Sequence, residues 1–165
     1  MRNGNRLLAF LVLTTPLSAG AQQPNSDEVA VVRAAVEHYR DVRFNGPIVI
    51  DPTRRLSGGP LVAETVVDRV AEETRVTKGK FDEYFRCHDE LEGGKKHRIC
   101  QTRGVAKAVM TFMSLAVRGD TATLTAVFDK SGLEGRLVYV EELLTLVKRA
   151  GGTWKVERAL ETGVS

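Results

Sequence analysis

"AVMTFMSLAVRGDTATLTAVF", residues 108–128, decides the fold. Two apolar, β-rich runs flank Arg118-Gly119-Asp120, and a Gly-Asp pair between such runs marks a tight turn. Strands joined by a tight turn are antiparallel neighbours. The pattern continues downstream. "GRLVYVEELLTLVKR" (135–149) has strand character throughout, "AGGT" (150–153) turns the chain, and "WKVERAL" (154–160) is a last strand. The C-terminal part is therefore expected to be an antiparallel meander of four strands.

Side chains alternate along a strand. Trp154, Val156, Arg158 and Leu160 fall on one face of the last strand and form its expected core side; Lys155, Glu157 and Ala159 fall on the other. The long strand is less regular. Leu137, Tyr139, Glu141, Leu143, Thr145 and Val147 make one face, and Val138, Val140, Glu142, Leu144 and Leu146 the other. Both faces are apolar with one carboxylate each. That predicts a bulge near Glu141 and Glu142, or a strand buried on both sides.

Upstream the period changes. Residues 26–44 place Val29, Val32, Val36, Tyr39 and Val42 at three- and four-residue steps, the stripe of an amphipathic helix. Asn25 and Glu28 have the spacing of a capping box, and "NGP" (45–47) stops the helix. "PIVID" (47–51) reads as a short strand ending at Asp51, and "PTRRLSGGP" (52–60) as a loop. A second helix over about 61–76 carries Val62, Val66, Val67 and Val70 on one side. "FDEYF" (81–85) fits one helical turn or a strand start equally well. Helices segregated from a meander define an α+β domain: N-terminal helices packed on a curved antiparallel sheet of about four to five strands.

"CHDELEGGKKHRIC" (87–100) holds both cysteines and His88 and His97. Three chemistries are open: a Cys87–Cys100 disulfide, a zinc site from Cys87, His88, His97 and Cys100, or free thiols. The Gly93-Gly94 pair lets the chain turn back and favours the disulfide. Against zinc, His88 adjoins Cys87 directly, and adjacent side chains rarely reach one ion together. The usual short ligand spacing occurs only at His97 and Cys100.

The first residues bear on the same choice. Arg2 and Arg6 precede an apolar run over residues 7–17, followed by Ala19-Gly20-Ala21. This is the layout of a signal peptide over residues 1–21 with an A-x-A cleavage site, leaving one domain over 22–165. The run is about half the ~20 residues that a membrane span needs. Export to the periplasm or the medium favours disulfide formation. Lys and Arg total 24 against 21 Asp and Glu, and without Arg2 and Arg6 the balance is 22 to 21. Basic residues are scattered, so nucleic acid is not an expected partner; no membrane span is expected in the mature chain, and the reading allows a homodimer.

The tail "VRGDTATLTAVF…YVEELLTLVKRAGGTWKVERALE" resembles the C-terminal meander of the nuclear transport factor two-like superfamily, cystatin-like α+β cones. The resemblance lies in Gly119-Asp120-Thr121-Ala122, the long strand, Gly151-Gly152 and Trp154-Lys155-Val156. It implies a sheet curved around helices with a pocket at its open end, in a superfamily of small isomerases, dehydratases, binding modules and interaction domains. It carries over no catalytic residue. The early strand and the cysteine loop depart from the family pattern.

An acid–base site needs a carboxylate or histidine in a dry cleft. Asp51, beside Arg54 and Arg55, is one candidate, and an Asx turn is its simpler role. Glu141 and Glu142 are others, because one should face inward. Tyr39 is a candidate donor, with a core role as the simpler one, and its neighbour His38 reads as solvated. Arg118-Gly119-Asp120 matches an adhesion tripeptide but is a turn sequence in any case. No nucleophile elbow, phosphate loop, zinc-protease helix or dinucleotide fingerprint occurs, so no cofactor is expected. The leading expectation is a non-catalytic module of the cell envelope, binding a small molecule or an envelope protein. The alternative is a cone enzyme, an isomerase, dehydratase or hydrolase, using a pocket carboxylate. An inward carboxylate with a donor such as Tyr39 in a deep pocket would favour the enzyme; a filled core would favour the module.

Overall fold

A computed structural model describes residues 25–54, 59–132 and 137–164. The expected leader and Arg55 lie outside the described residues.

Helix α1 (Ser26–Glu37) starts at Asn25, whose side chain accepts from the Asp27 backbone N–H at 3.0 Å. It runs directly into a π-helical turn, His38–Arg43. The predicted stripe is buried at Val29, Val32, Val36 and Tyr39. Val42 departs from it and is 72% exposed. The wider π turn changes the angular step after Glu37, so Val42 no longer continues the stripe. Helix α2 (Glu64–Thr74) is shorter than predicted. Leu61 and Val62 instead run beside the sheet, with Val62 N–H donating to the Phe112 carbonyl at 3.0 Å.

Six strands form the main sheet: β1 (Ile48–Ile50), β2 (Thr77–Lys78), β5 (Ala108–Arg118), β6 (Thr121–Ser131), β7 (Leu137–Lys148) and β8 (Trp154–Val164), in the order β2-β1-β5-β6-β7-β8. The meander β5–β8 is antiparallel throughout, as expected. The sheet as a whole is mixed and larger than the four to five antiparallel strands anticipated. β1 joins β5 in parallel, and β2 joins β1 in parallel after the α2 crossover. Strands of three and two residues carry no periodicity from which partner or direction can be read. The α+β class holds, with α1 and α2 on one face of the sheet. Val31, Val32, Val36, Val66 and Val70 meet Phe112, Leu124, Phe128, Leu144 and Leu146 there.

On the other face a hairpin packs against β1, β5 and the adjoining parts of β6 and β7. The ambiguous "FDEYF" is both things: a single turn α3 (Phe81–Tyr84), then the start of β3 (Phe85–Glu92). β3 pairs with β4 (Lys95–Thr102) around Gly93 and Gly94, whose φ of 58° and 78° suit glycine. Cys87 sits directly opposite Cys100, Cα atoms 4.0 Å apart, and the two are disulfide-bonded. Phe85 and Cys100 pack on Val49 and Val109, a small second core beneath the hairpin.

Candidate functional site

Strand β7 alternates cleanly. Val140, Glu142, Leu144 and Leu146 are buried on the helix side, and Glu141 turns to the other face. The predicted irregularity lies in its partner. Two register shifts interrupt β7–β8 pairing: Thr162 is unmatched between Gly163 and Glu161, and Glu157 between Arg158 and Val156. Each extra residue reverses the face on which the following side chains lie. Ala159 therefore pairs with Leu144 and Glu161 with Glu142, while Leu160 pairs with Leu143 on the outer face and is 45% exposed. The core face expected for Trp154, Val156 and Leu160, with Arg158 near its rim or partnered, thus ends at Val156, and Arg158 is exposed.

Glu142 is 4% exposed and meets the π turn. Tyr39 Oη donates to Glu142 Oε2 at 2.7 Å, and Arg43 Nη2 donates to Oε1 at 3.1 Å. A buried carboxylate must be paired or hydrogen-bonded, and here both oxygens are. Tyr39 is fully buried against Phe128 and Phe44, with ring centroids 5.6 and 6.0 Å away. Burial, then the hydrogen bond and charge of Glu142, push its hydroxyl pKa far above the ordinary phenol value. Tyr39 thus acts as a fixed donor at neutral pH. Burial lowers the His38 pKa, the Glu142 charge opposes this, and Arg43 adds to it. His38, Val42, Arg43, Glu142, Ala159 and Glu161 line an open cavity of about 460 Å³. A groove of about 420 Å³ between α1 and β8 shares His38 and Val42 with it.

The other candidates lie apart. Asp51 Oδ1 accepts from Thr53 N and Oγ1, each at 2.9 Å, and Oδ2 accepts from Phe81 N at 2.8 Å. It makes the expected Asx turn and also ties β1 to α3. Arg54 pairs through both terminal nitrogens with Asp129, which is 1% exposed, and lies over the Phe81 ring at 4.5 Å. The sequence reading missed Asp129; its alternation against the inward Phe128 was the available signal. Asp51, Thr53, Arg54 and Phe81 border a cleft of about 330 Å³ beneath the hairpin. Glu141 accepts from Thr162 Oγ1 at 3.2 Å on the outer face. Arg118, Gly119 and Asp120 form the exposed β5–β6 turn.

The bonded sulfurs of Cys87 and Cys100 leave no thiolate for zinc, and among the described residues no cluster of ligands could hold a metal. His88 is exposed and bonds Glu90 at 3.0 Å. The His97 side chain lies outside the described residues. No described helix is long and apolar enough to cross a membrane.

No protein-family model matches the sequence, and neither a curated protein nor a solved structure matches the chain.

Proposed function

We propose that this is an exported, disulfide-closed binding module of the cell envelope, built like the α+β cones, with its site at the mouth formed by the π turn, β7 and β8. The observation that carries this is the engagement of Glu142. Its oxygens are held by Tyr39 and Arg43 at the rim of a cavity whose wall residue Val42 is 72% exposed. Proton-transfer chemistry favours a water-excluding cleft and a group poised to exchange protons near neutral pH. This mouth is open, and its phenol is locked as a donor. The helix layer on one sheet face, the four-stranded meander and the Cys87–Cys100 bond support the cone and export readings.

The enzyme reading keeps one specific support: Glu142 points inward with a buried tyrosine donor 2.7 Å away. One experiment separates the two. Protein exported by its natural producer is purified without reduction and its small-molecule content identified by mass spectrometry. A retained compound whose addition shifts the amide resonances of His38, Ala159 and Glu161 supports the module. Turnover of that compound, abolished in Glu142→Gln, would replace the module by an enzyme. The same preparation tests export: the chain should begin at Gln22 and show no free thiol.

A further inference from the structure

The cavity at the mouth carries a charge imbalance that selects its ligand. Glu142 and Glu161 are directly opposed on β7 and β8. Like charges opposed across strands repel. Arg43 is the one formal cation lining the cavity, and it is already engaged with Glu142. His38 adds no compensating charge at neutral pH, because burial and Arg43 together outweigh the pull of Glu142 on its proton. Among the described residues Glu161 has no ion-pair partner within 4 Å.

Each Glu142 oxygen accepts one protein hydrogen bond, and a carboxylate oxygen has room for a second. The Arg43 side chain is 46% exposed, against 5% for Glu142, so the guanidinium can swing out into water while the carboxylate stays in the cavity wall. The group that Glu142 holds now is a guanidinium, which shows the chemistry its geometry accepts. Val42 and Ala159 add apolar wall beside the charged pair. An anion entering here would face two carboxylates and compete for an arginine that the buried one already holds.

Building on the binding-module reading, we infer that the mouth takes a small organic cation, a primary ammonium or guanidinium on a short alkyl body, seated between Glu142 and Glu161 with Arg43 as the internal competitor it displaces.

The test uses the oxidised mature protein and three probes of matched length, n-butylamine, n-butyrate and n-butanol, followed by amide chemical shifts at neutral pH and low salt. Butylamine should perturb His38, Ala159 and Glu161 and bind at least tenfold tighter than either comparator. Glu161→Gln should weaken it three- to tenfold. Arg43→Gln should strengthen it severalfold, a gain that loss of structure would not produce. Because Glu142→Gln risks the fold, the two surface variants carry the decision. If Arg43→Gln weakens butylamine or leaves it unchanged, or if butyrate binds the same residues as well, the cation assignment is overturned. Binding of butyrate or butanol there would still leave a binding module standing. Silence from all three probes at these residues would overturn the site itself.

Discussion

Replacing Tyr39 with Phe should destabilise the protein far more than the loss of one surface hydroxyl. The Tyr39 hydroxyl is buried, and its single partner is a carboxylate 4% exposed. A hydrogen bond to a charged group contributes about 1.5–3 kcal/mol net. Removing the donor leaves Glu142 Oε2 in the interior with Arg43 on the other oxygen only. We expect Tyr39→Phe to cost about 2 kcal/mol, a midpoint lowered by roughly 5–10 °C. Glu142→Leu, which strands the hydroxyl instead, should cost about 1–3 kcal/mol. Replacing both partners by apolar groups of similar shape is often nearly neutral. The double variant Tyr39→Phe/Glu142→Leu should therefore be less destabilised than the sum of the singles, with a coupling of about 1.5–3 kcal/mol. Urea unfolding of the four proteins at pH 7, followed by Trp154 fluorescence, gives this cycle directly. Additive single effects, within about 0.3 kcal/mol, would show that the two side chains do not interact and would remove the basis of the proposed site.

Arg54→Ala leaves Asp129, 1% exposed, without its charge partner and should cost about 3–5 kcal/mol in urea unfolding, whereas Arg54→Met combined with Asp129→Leu should recover most of it. Reducing the Cys87–Cys100 bond, which spans a sequence separation of 13, should cost about 3 kcal/mol. Hydrogen exchange should then show β3 and β4 losing protection ahead of β5–β7. The His38 pKa is lowered by folding, so the unfolded chain takes the proton first; stability is full above its ordinary value of 6.5 and falls as pH drops below it. Comparing pH 7 with pH 5, His38→Gln should lose less stability than the natural protein. Tyr39 is shifted the other way: stability is full below its ordinary value of 10.0 and falls as pH rises above it. Tyr39→Phe should remove that alkaline loss, read from unfolding midpoints between pH 9 and pH 11.

Periodicity and turn chemistry were enough for the α1 stripe through Tyr39, the β5–β8 meander with its Gly119-Asp120 turn, and the pairing of Cys87 with Cys100 around two glycines. Each is a local instruction: the residues that specify it lie within one element or one hairpin. The parallel docking of β1 on β5, the α2 crossover to β2 and the closing of the hairpin over Val49 and Val109 are not local. They depend on which apolar surfaces remain uncovered after the meander forms. The site divides the same way. Tyr39 and Glu142 were both identifiable as candidates, because an aromatic in a helical stripe and a carboxylate in an apolar strand are each visible alone. Their contact across 103 residues of sequence was not. Nor was the arrival of Arg43, which depends on a π turn that no periodicity announces, or of the exposed Glu161, which shares the helix-side face with Glu142 only because Glu157 is unmatched in β8. Sequence alone sets the faces of regular elements, such as α1 through Tyr39 and β7; only packing decides where a bulge or π turn resets a face and which faces meet, because burying apolar area is non-directional while a buried carboxylate accepts only partners that can hydrogen-bond to it.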